Sequence, residues 1–331
     1  MLKKVLVTGG AGYVGACLIP KLLKEGYSVT VLDLMLYGDD VFEQAVKNNK
    51  NLKLVRGDIR DQIVLADSLV GQDAVIHLAC ISNDPSFDLN PDLGRSINLL
   101  AFRPLVEAAQ KAGVKRFIYA SSSSVYGVKE VENVTEDMSL EPLTDYSRFK
   151  ADCEEILKEY ISNQWTCVTV RPATVCGYSR RQRLDVIVNI LTSHAFYNRK
   201  IKVLGGAQKR PNIHIEDMAD VYLRLLTAPH DKINGKIYNA GYENHTVDQL
   251  AEMVQKTVGP DVEIVKTETN DNRSYHISSQ KIESDIGFKP QHKIEEACAD
   301  LKKAFELGLL PNAMSDAKYY NIKTMLGNGL K

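Results

Sequence analysis

Near its start the chain runs from a short apolar segment, Lys4 to Thr8, through Gly9-Gly10-Ala11-Gly12-Tyr13-Val14-Gly15 and into an apolar-periodic stretch that stops at Gly26. Few folds accommodate that order. The early glycines open backbone angles closed to other residues. Gly12 leaves room for a ligand to reach the main chain, and Gly15 lets helix and strand pack closely. Both the G-x-x-G-x-x-G and G-x-G-x-x-G spacings fit these residues. A strand, such a turn and a helix leave free amides at the helix N-terminus, where a pyrophosphate is welcome. The reading is a dinucleotide site; its rival is a tight strand–helix turn with no ligand.

The alternation continues. Segments 28–32, 52–56, 74–78, 117–120 and 167–171 read as strands, and 13–25, 62–69, 93–112 and 146–161 as helices. Continuous apolar strands between amphipathic helices predict a parallel sheet covered on both faces. With right-handed crossovers this is an α/β fold with a Rossmann-type doubly wound sheet. Pro20 and Pro104 fall inside helical patterns and predict kinks there.

After about residue 175 the rhythm changes. A basic loop, 178–183, precedes a helical stretch 184–197, a strand 200–204, a Gly205-Gly206 turn, a segment 211–216, a helix from Met218, a strand 236–239 and a helix 247–257. The expected division is a dinucleotide-binding domain over 1–175 and a smaller C-terminal α/β substrate lobe over 176–331, with some segments free to return to the first.

Composition removes several classes of partner. Among 331 residues, 41 Lys and Arg meet 42 Asp and Glu, a formal charge of −1, so no global field attracts nucleic acid or an anionic membrane. There is no run of about 18 apolar residues to span a bilayer. The N-terminus lacks the apolar stretch and cleavage site of a signal peptide, so the expected location is the cytoplasm. Six cysteines without C-x-x-C spacing read as reduced core thiols, against zinc or disulfides.

Asp33 closes the second strand, about 20 residues after the glycines, where a carboxylate accepts hydrogen bonds from adenosine ribose hydroxyls and repels a 2′-phosphate. That favours NAD over NADP; a helix cap or loop aspartate is the alternative. Tyr146 and Lys150 stand four apart, on one helix face. Tyrosine, with a reference pKa near 10, is a poor base at pH 7 until a nearby ammonium favours its phenolate. Alone, Y-x-x-x-K is a common accident. Upstream, however, Ser121-Ser122-Ser123-Ser124-Val125-Tyr126-Gly127 follows an apolar strand, placing hydroxyls where α/β sheets bind ligands. A serine turn capping a helix is the rival for some of these residues.

Taken jointly, TGGAGYVG, Asp33, Gly57-Asp58-Ile59, His77-Leu78-Ala79, Asn98, SSSSVYG, YSRFK, Arg171-Pro172, RPNIHIEDM and the Arg273 segment make the chain resemble the extended short-chain dehydrogenases/reductases, the group of nucleotide-sugar epimerases and dehydratases. The resemblance runs nearly end to end. It implies NAD as cofactor, held by Gly9, Gly12, Tyr13, Val14, Gly15, Asp33, Asp58, Ile59, Leu78, Ala79, Tyr146 and Lys150. It implies Tyr146 as catalytic base and acid, Lys150 as the group that lowers its pKa, and Ser122 as a hydrogen bond to the reacting sugar oxygen. Asn98 resembles the family's structural helix asparagine. The substrate, a nucleotide-diphosphate sugar, falls to Ser82, Ser122, Ser123, Thr174, Arg183, Arg210 and Arg273, since arginine forks suit phosphate. Arg180, Arg181 and Arg183 form a basic cluster, for which a solvated loop and a ligand role both stand. His214 and His245 read as structural or surface histidines. A homodimer pairing helices 93–112 and 146–161 is also implied.

Two departures bear on the reaction. The family's 4,6-dehydratases carry Asp-Glu before the V-Y-G element, and this chain carries Ser123-Ser124. Many epimerases read R-Y-x-N-V-Y-G after the sixth strand, and here Thr174 replaces the asparagine. A similar R-x-A-T-V-x-G pattern followed by R-L-D occurs in a branch that includes a GDP-heptose C4 dehydrogenase. The leading expectation is an NAD-dependent 4-epimerase. The alternatives are a net C4 dehydrogenase releasing a 4-keto sugar, a dehydratase, and a noncatalytic NAD(P)-sensing protein.

Overall fold

The structure, a computed structural model, describes residues 2–38, 40–82, 84–269 and 274–328. Its centre is a seven-stranded parallel sheet of β1 (Lys4–Thr8), β2 (Ser28–Asp33), β3 (Leu52–Arg56), β4 (Ala74–His77), β5 (Arg116–Ala120), β6 (Thr166–Pro172) and β10 (Lys236–Ala240). The order across the sheet is β10-β6-β5-β4-β1-β2-β3. From β1 the chain winds outward to β3, then returns to the other side of β1 and winds the opposite way. That reversal leaves a crevice at the carboxyl ends of β1 and β4.

Side-chain alternation along each strand feeds two cores, one per face. On one face Val5, Val7, Val29, Val31, Ile76, Val168 and Val170 meet Leu18, Ile19 and Leu22 of helix Tyr13–Lys24 and Met218, Tyr222 and Leu225 of helix Ile215–Thr227. On the other, Leu6, Leu32, Val75, Phe117 and Tyr119 meet Leu65 and Leu69, Phe102 and Leu105, and Cys153 and Leu157. Burying each such side chain stabilises by about 1.5–3 kcal/mol, so the sheet forms a rigid platform for its carboxyl edge.

The remaining chain builds the second half. β7 (Thr174–Cys176), β9 (Lys209–His214) and β11 (Glu243–Thr246) form one small sheet, and β8 (Lys200–Leu204) pairs with β12 (Glu263–Thr267) in another. Helices Ile187–Asn198, Val247–Val258 and Ile294–Glu306 share an apolar cluster with β8. Segment 236–239 and the helix after β9 lie on the main sheet, so the chain passes between the halves more than once.

Three helix readings shift. The stretch 93–112 is not one helix: Pro91–Arg95 passes into a π-helical turn, Ser96–Leu100, before helix Phe102–Lys111. Pro104 lacks an N–H and crowds the carbonyl four residues back, and the wide turn absorbs both effects. Pro20, by contrast, stays within helix Tyr13–Lys24 without ending it. The helix expected from Met218 starts at Ile215, because His214 Nδ1 caps it by accepting from Glu216 N at 3.2 Å. The helix expected from residue 184 starts at Ile187, because Val186 before it is extended, at φ −106° and ψ 151°, and the Leu184 amide donates to the Tyr319 carbonyl at 2.8 Å.

Candidate active site

The glycine turn has the geometry its residues require. Gly9 lies at φ +72°, and a Cβ there would stand 2.5 Å from the Ala79 amide nitrogen. A Cβ on Gly15 would strike the Gly10 carbonyl, so the first helix can sit this close to β1 only with glycine. Around Gly12 only the Gly9 carbonyl, at 3.1 Å, would meet an added Cβ. No side chain caps the helix that Gly12 opens. An open cradle at an uncapped helix N-terminus suits a phosphate. Asp33 accepts from Ala11 N at 3.0 Å and Met35 N at 2.7 Å, tying the end of β2 to this turn. Burial pushes its carboxyl up from the ordinary value against those two amides. A carboxylate has about four acceptor sites, so hydroxyls can still be received. Asp58, just after β3, is folded onto Arg60, Nη2 to Oδ2 at 2.6 Å. Burial opposes the charge there, and the Arg60 hydrogen bonds still hold the carboxyl below its usual range.

The carboxyl end of β5 supplies the reacting end. Ser122 accepts from Ser124 N at 3.1 Å and shares a 2.8 Å contact with the Ser124 hydroxyl, so it does cap the short 3-10 turn Ser123–Tyr126 while lining the cleft. Ser123 is buried, its hydroxyl 3.2 Å from that of Tyr275. Helix Asp145–Lys158 begins with a Thr144–Ser147 capping box and presents Tyr146, Lys150 and Glu154 on one face. Lys150 is buried, donates to the Ala120 carbonyl at 2.7 Å, and holds its Nζ 5.9 Å from the Tyr146 ring centroid.

Glu154 was not anticipated from the sequence. Its carboxylate accepts from Ser121 Oγ at 2.5 Å and from Arg171 Nη2 at 2.6 Å, and both members of this ion pair are buried. Arg171 also reaches the Tyr126 hydroxyl at 2.7 Å, which donates to Asn239 Oδ1 at 2.7 Å. The catalytic-helix candidate is thus fastened to β5, β6 and β10 at once. The stripe Tyr146–Lys150–Glu154, three residues spaced four apart, and an arginine ending an apolar strand were the available signals. Asn98, on the π-helical turn, bonds both backbone groups of Ile81, at 2.8 and 2.9 Å, fixing the loop after β4. His77 beneath it is pushed down to about 3 by burial and then by Lys150, so it is neutral.

Every predicted site residue that the structure describes lines one cleft of about 770 Å³: the glycine-turn residues, Asp33, Asp58, Ile59, Leu78, Ala79, Ser82, Ser122, Ser123, Tyr146, Lys150, Thr174, Arg183 and Arg210. Arg273 lies outside the described residues. Tyr13 also has a joining role: its hydroxyl donates to the Gly177 carbonyl at 2.6 Å and accepts from Asn189 at 3.0 Å, pinning the first helix to the second half. Arg183 pairs with Asp185 at 2.6 Å, and its charge reaches Tyr146. Arg210 donates to the Lys209 carbonyl at 3.0 Å. His214 and His245 stay outside the cleft lining, His214 as a helix cap and His245 beside Glu243 at 3.5 Å. Of the basic cluster, Arg181 is buried in the cleft lining rather than in a solvated loop; Tyr37 and Asn321 join the lining without having been predicted, Asn321 from a C-terminal helix, Asn321–Gly327, that had no sequence signal.

Residues 5–241 match the model of the NAD dependent epimerase/dehydratase family. The chain belongs to that family. Its members resemble it over nearly the whole length. UDP-glucose 4-epimerase 2 of Arabidopsis thaliana is 29% identical over 330 residues, covering 91% of this chain and 94% of its own. The dTDP-D-glucose 4,6-dehydratase of Mus musculus is 30% identical over 322 residues, covering 92% and 88%. Among solved structures, the UDP-glucose 4-epimerase of Thermotoga maritima superposes with TM-score 0.83 at 24% identity, covering 92% of this chain and 99% of that one. The family thus spans nucleotide-sugar 4-epimerases and 4,6-dehydratases of the extended short-chain dehydrogenase/reductase type. The family is NAD-dependent, and the glycine cradle and Asp33 fit that cofactor. No helix among the described residues is long and apolar enough to cross a membrane.

Proposed function

We propose that this enzyme is an NAD-dependent nucleotide-sugar 4-epimerase. One observation carries the choice within the family: among the described residues, the reacting end of the cleft has no free carboxylic acid pair. Among the described residues, the acids lining the cleft are Asp33 and Asp58 at the cofactor end and Asp185, which is engaged by Arg183 and by the Asn321 amide at 3.0 Å. Where a dehydratase needs an acid and a base to expel water, this chain has the Ser123 and Ser124 hydroxyls, directed to Tyr275 and Ser122. Chemistry confined to C4 remains.

In this reading Ser122 holds the sugar O4 by a hydrogen bond, and the Tyr146 oxygen takes the O4 proton as general base. The buried Lys150 ammonium stabilises negative charge on that oxygen and, donating to the Ala120 carbonyl, is fixed beside it. NAD, when bound, supplies the two-electron acceptor that oxidises C4 and the donor that reduces it again. Tyr146 then returns the proton to O4 on the re-reduced carbon. Thr174, Ser82, Arg183 and Arg210 hold the nucleotide diphosphate, the arginines as phosphate forks. Asp33 ends β2 and Ser122 follows β5, with β1 and β4 between those strands in the sheet, so cofactor choice and sugar chemistry are separable by mutation. The enzyme works as a homodimer in the cytoplasm, the pairing made by helices Phe102–Lys111 and Asp145–Lys158.

A second reading has its own observation. Thr174, rather than asparagine, lines the cleft from β7, as in the branch with the R-L-D pattern, and in a net C4 dehydrogenase the 4-keto sugar would be released with the hydride left on the cofactor. Incubating the purified enzyme with UDP-, GDP-, CDP- and dTDP-sugars, with product NMR and absorbance of reduced cofactor, separates the two. Inversion at C4 without net reduced cofactor supports the epimerase. Stoichiometric reduced cofactor establishes the dehydrogenase and overturns it.

A further inference from the structure

Loop 178–183 carries a buried charge with no part in the chemistry above. Arg181 is 4% exposed. Its Nη2 donates to Asn321 Oδ1 at 2.6 Å, and its guanidinium carbon lies 3.4 Å from the Tyr37 ring centroid. Among the described residues, its Nε and Nη1 have no hydrogen-bond acceptor. A guanidinium stays protonated and brings five donors, so burying it with two nitrogens unanswered is strongly unfavourable unless something answers them. Burial accordingly pulls its pKa down from the ordinary arginine value.

The surroundings hold this side chain in one place. Tyr37 donates its hydroxyl to Asn321 Oδ1 at 3.0 Å, and Asn321 Nδ2 donates to Ser82 Oγ at 2.8 Å. Asn321 N donates to Asp185 Oδ2 at 3.0 Å. Four separate segments converge: the loops after β2 and β4, the 178–183 loop and the C-terminal helix. All four contribute to the lining of the cleft. The Arg181 charge acts on Asp33 as well as on Arg183 and Asp185, and its aromatic partner Tyr37 follows the strand that ends in Asp33. Arg183, two residues on, is paired with Asp185 and reaches Tyr146 instead.

We propose that Arg181 binds the diphosphate of the bound dinucleotide from the C-terminal half, opposite the glycine turn, with Tyr37 and Asn321 as the frame that positions it. This rests on the cleft being the NAD site. The cofactor is then gripped by both halves of the molecule, and the C-terminal helix contributes to holding it through Asn321.

The test is calorimetric titration of cofactor-stripped protein with NAD, adenosine and UDP, beside thermal unfolding with and without NAD. Arg181→Met is expected to weaken NAD by about 10- to 100-fold, the range for hydrogen bonds to a charged group. Adenosine, which has no phosphate, and UDP stay within about twofold. The ligand-free variant melts no lower than the wild type, since the unanswered charge is gone, while its stabilisation by NAD shrinks. Arg181→Lys keeps the charge without the fork and falls between; it is read by the same criteria should Arg181→Met not fold. NAD affinity within about twofold of wild type overturns the proposal. So does a loss confined to UDP, which puts the arginine on the substrate diphosphate, or an equal loss of adenosine and NAD, which makes it a frame residue only. Wild-type protein that binds no NAD would instead remove the underlying reading of the cleft.

Discussion

Replacing Glu154 tests how firmly the reacting helix is fastened. Its carboxylate accepts from Arg171 Nε at 3.0 and 3.2 Å, from Nη2 at 2.6 Å and from Ser121 at 2.5 Å, with side-chain exposures of 3% for Arg171 and 0% for Glu154. Removing one partner of such a pair leaves a buried charge without compensation, which costs about 3–5 kcal/mol. Glu154→Gln keeps the shape and the Ser121 contact and falls at the low end, about 3 kcal/mol; Glu154→Leu falls at the high end. The double variant Glu154→Leu/Arg171→Met removes the charge as well as the acceptor, and apolar replacement of a whole buried pair is near neutral. It should recover most of the loss. The assay is urea unfolding at pH 7, comparing midpoints and slopes. A loss below about 1 kcal/mol in Glu154→Leu, or a double variant no more stable than the single, refutes the reasoning.

Three other outcomes follow. Tyr146→Phe should lower turnover by about 10²- to 10⁴-fold, the usual contribution of a general base, while NAD affinity measured by titration changes little; unchanged turnover removes Tyr146 from the chemistry. Asp33→Ala should shift the ratio of NAD to NADP affinity toward NADP by about tenfold or more, the worth of hydrogen bonds to a charged group, and a constant ratio takes Asp33 off the ribose. His77, held at about 3 when folded, takes up a proton near pH 6.5 only in the unfolded chain. Stability should therefore drop as pH falls from about 6.5 toward 3, by up to about 1.4 kcal/mol per pH unit. Urea midpoints at pH 7 and pH 5 should differ less in His77→Asn; an equal difference shows that other groups carry the effect.

Much of this molecule was readable from local pattern because its signals are local. Strands β1 to β6 are short apolar runs whose alternation needs no knowledge of partners, and their ends fell within a residue or two. The glycine turn is dictated by steric limits inside eight residues: Gly9 needs a positive φ and Gly15 has no room for a Cβ. Tyr146 and Lys150 share a helix face by spacing alone. The break at Ser96–Leu100 was harder, since a proline marks strain without saying whether the helix kinks, widens or stops. The helix starts at Ile187 and Ile215 follow an extended Val186 and a His214 side-chain cap, neither of which periodicity registers.

The sequence by itself determined that a parallel sheet would present a dinucleotide turn and a Ser, Tyr, Lys set at one edge, because each is a short-range consequence of residue type and spacing. Only the tertiary structure decided which charges are shared and which are left over. Glu154 and Arg171 meet across 17 residues, Arg181 and Asn321 across 140. Such pairs form because burial makes an unanswered charge intolerable, and burial is a property of the assembled fold. The glycine turn announces a phosphate from eight residues of sequence; Arg181, in the wall of the same cleft, is set there by four segments that only folding brings together.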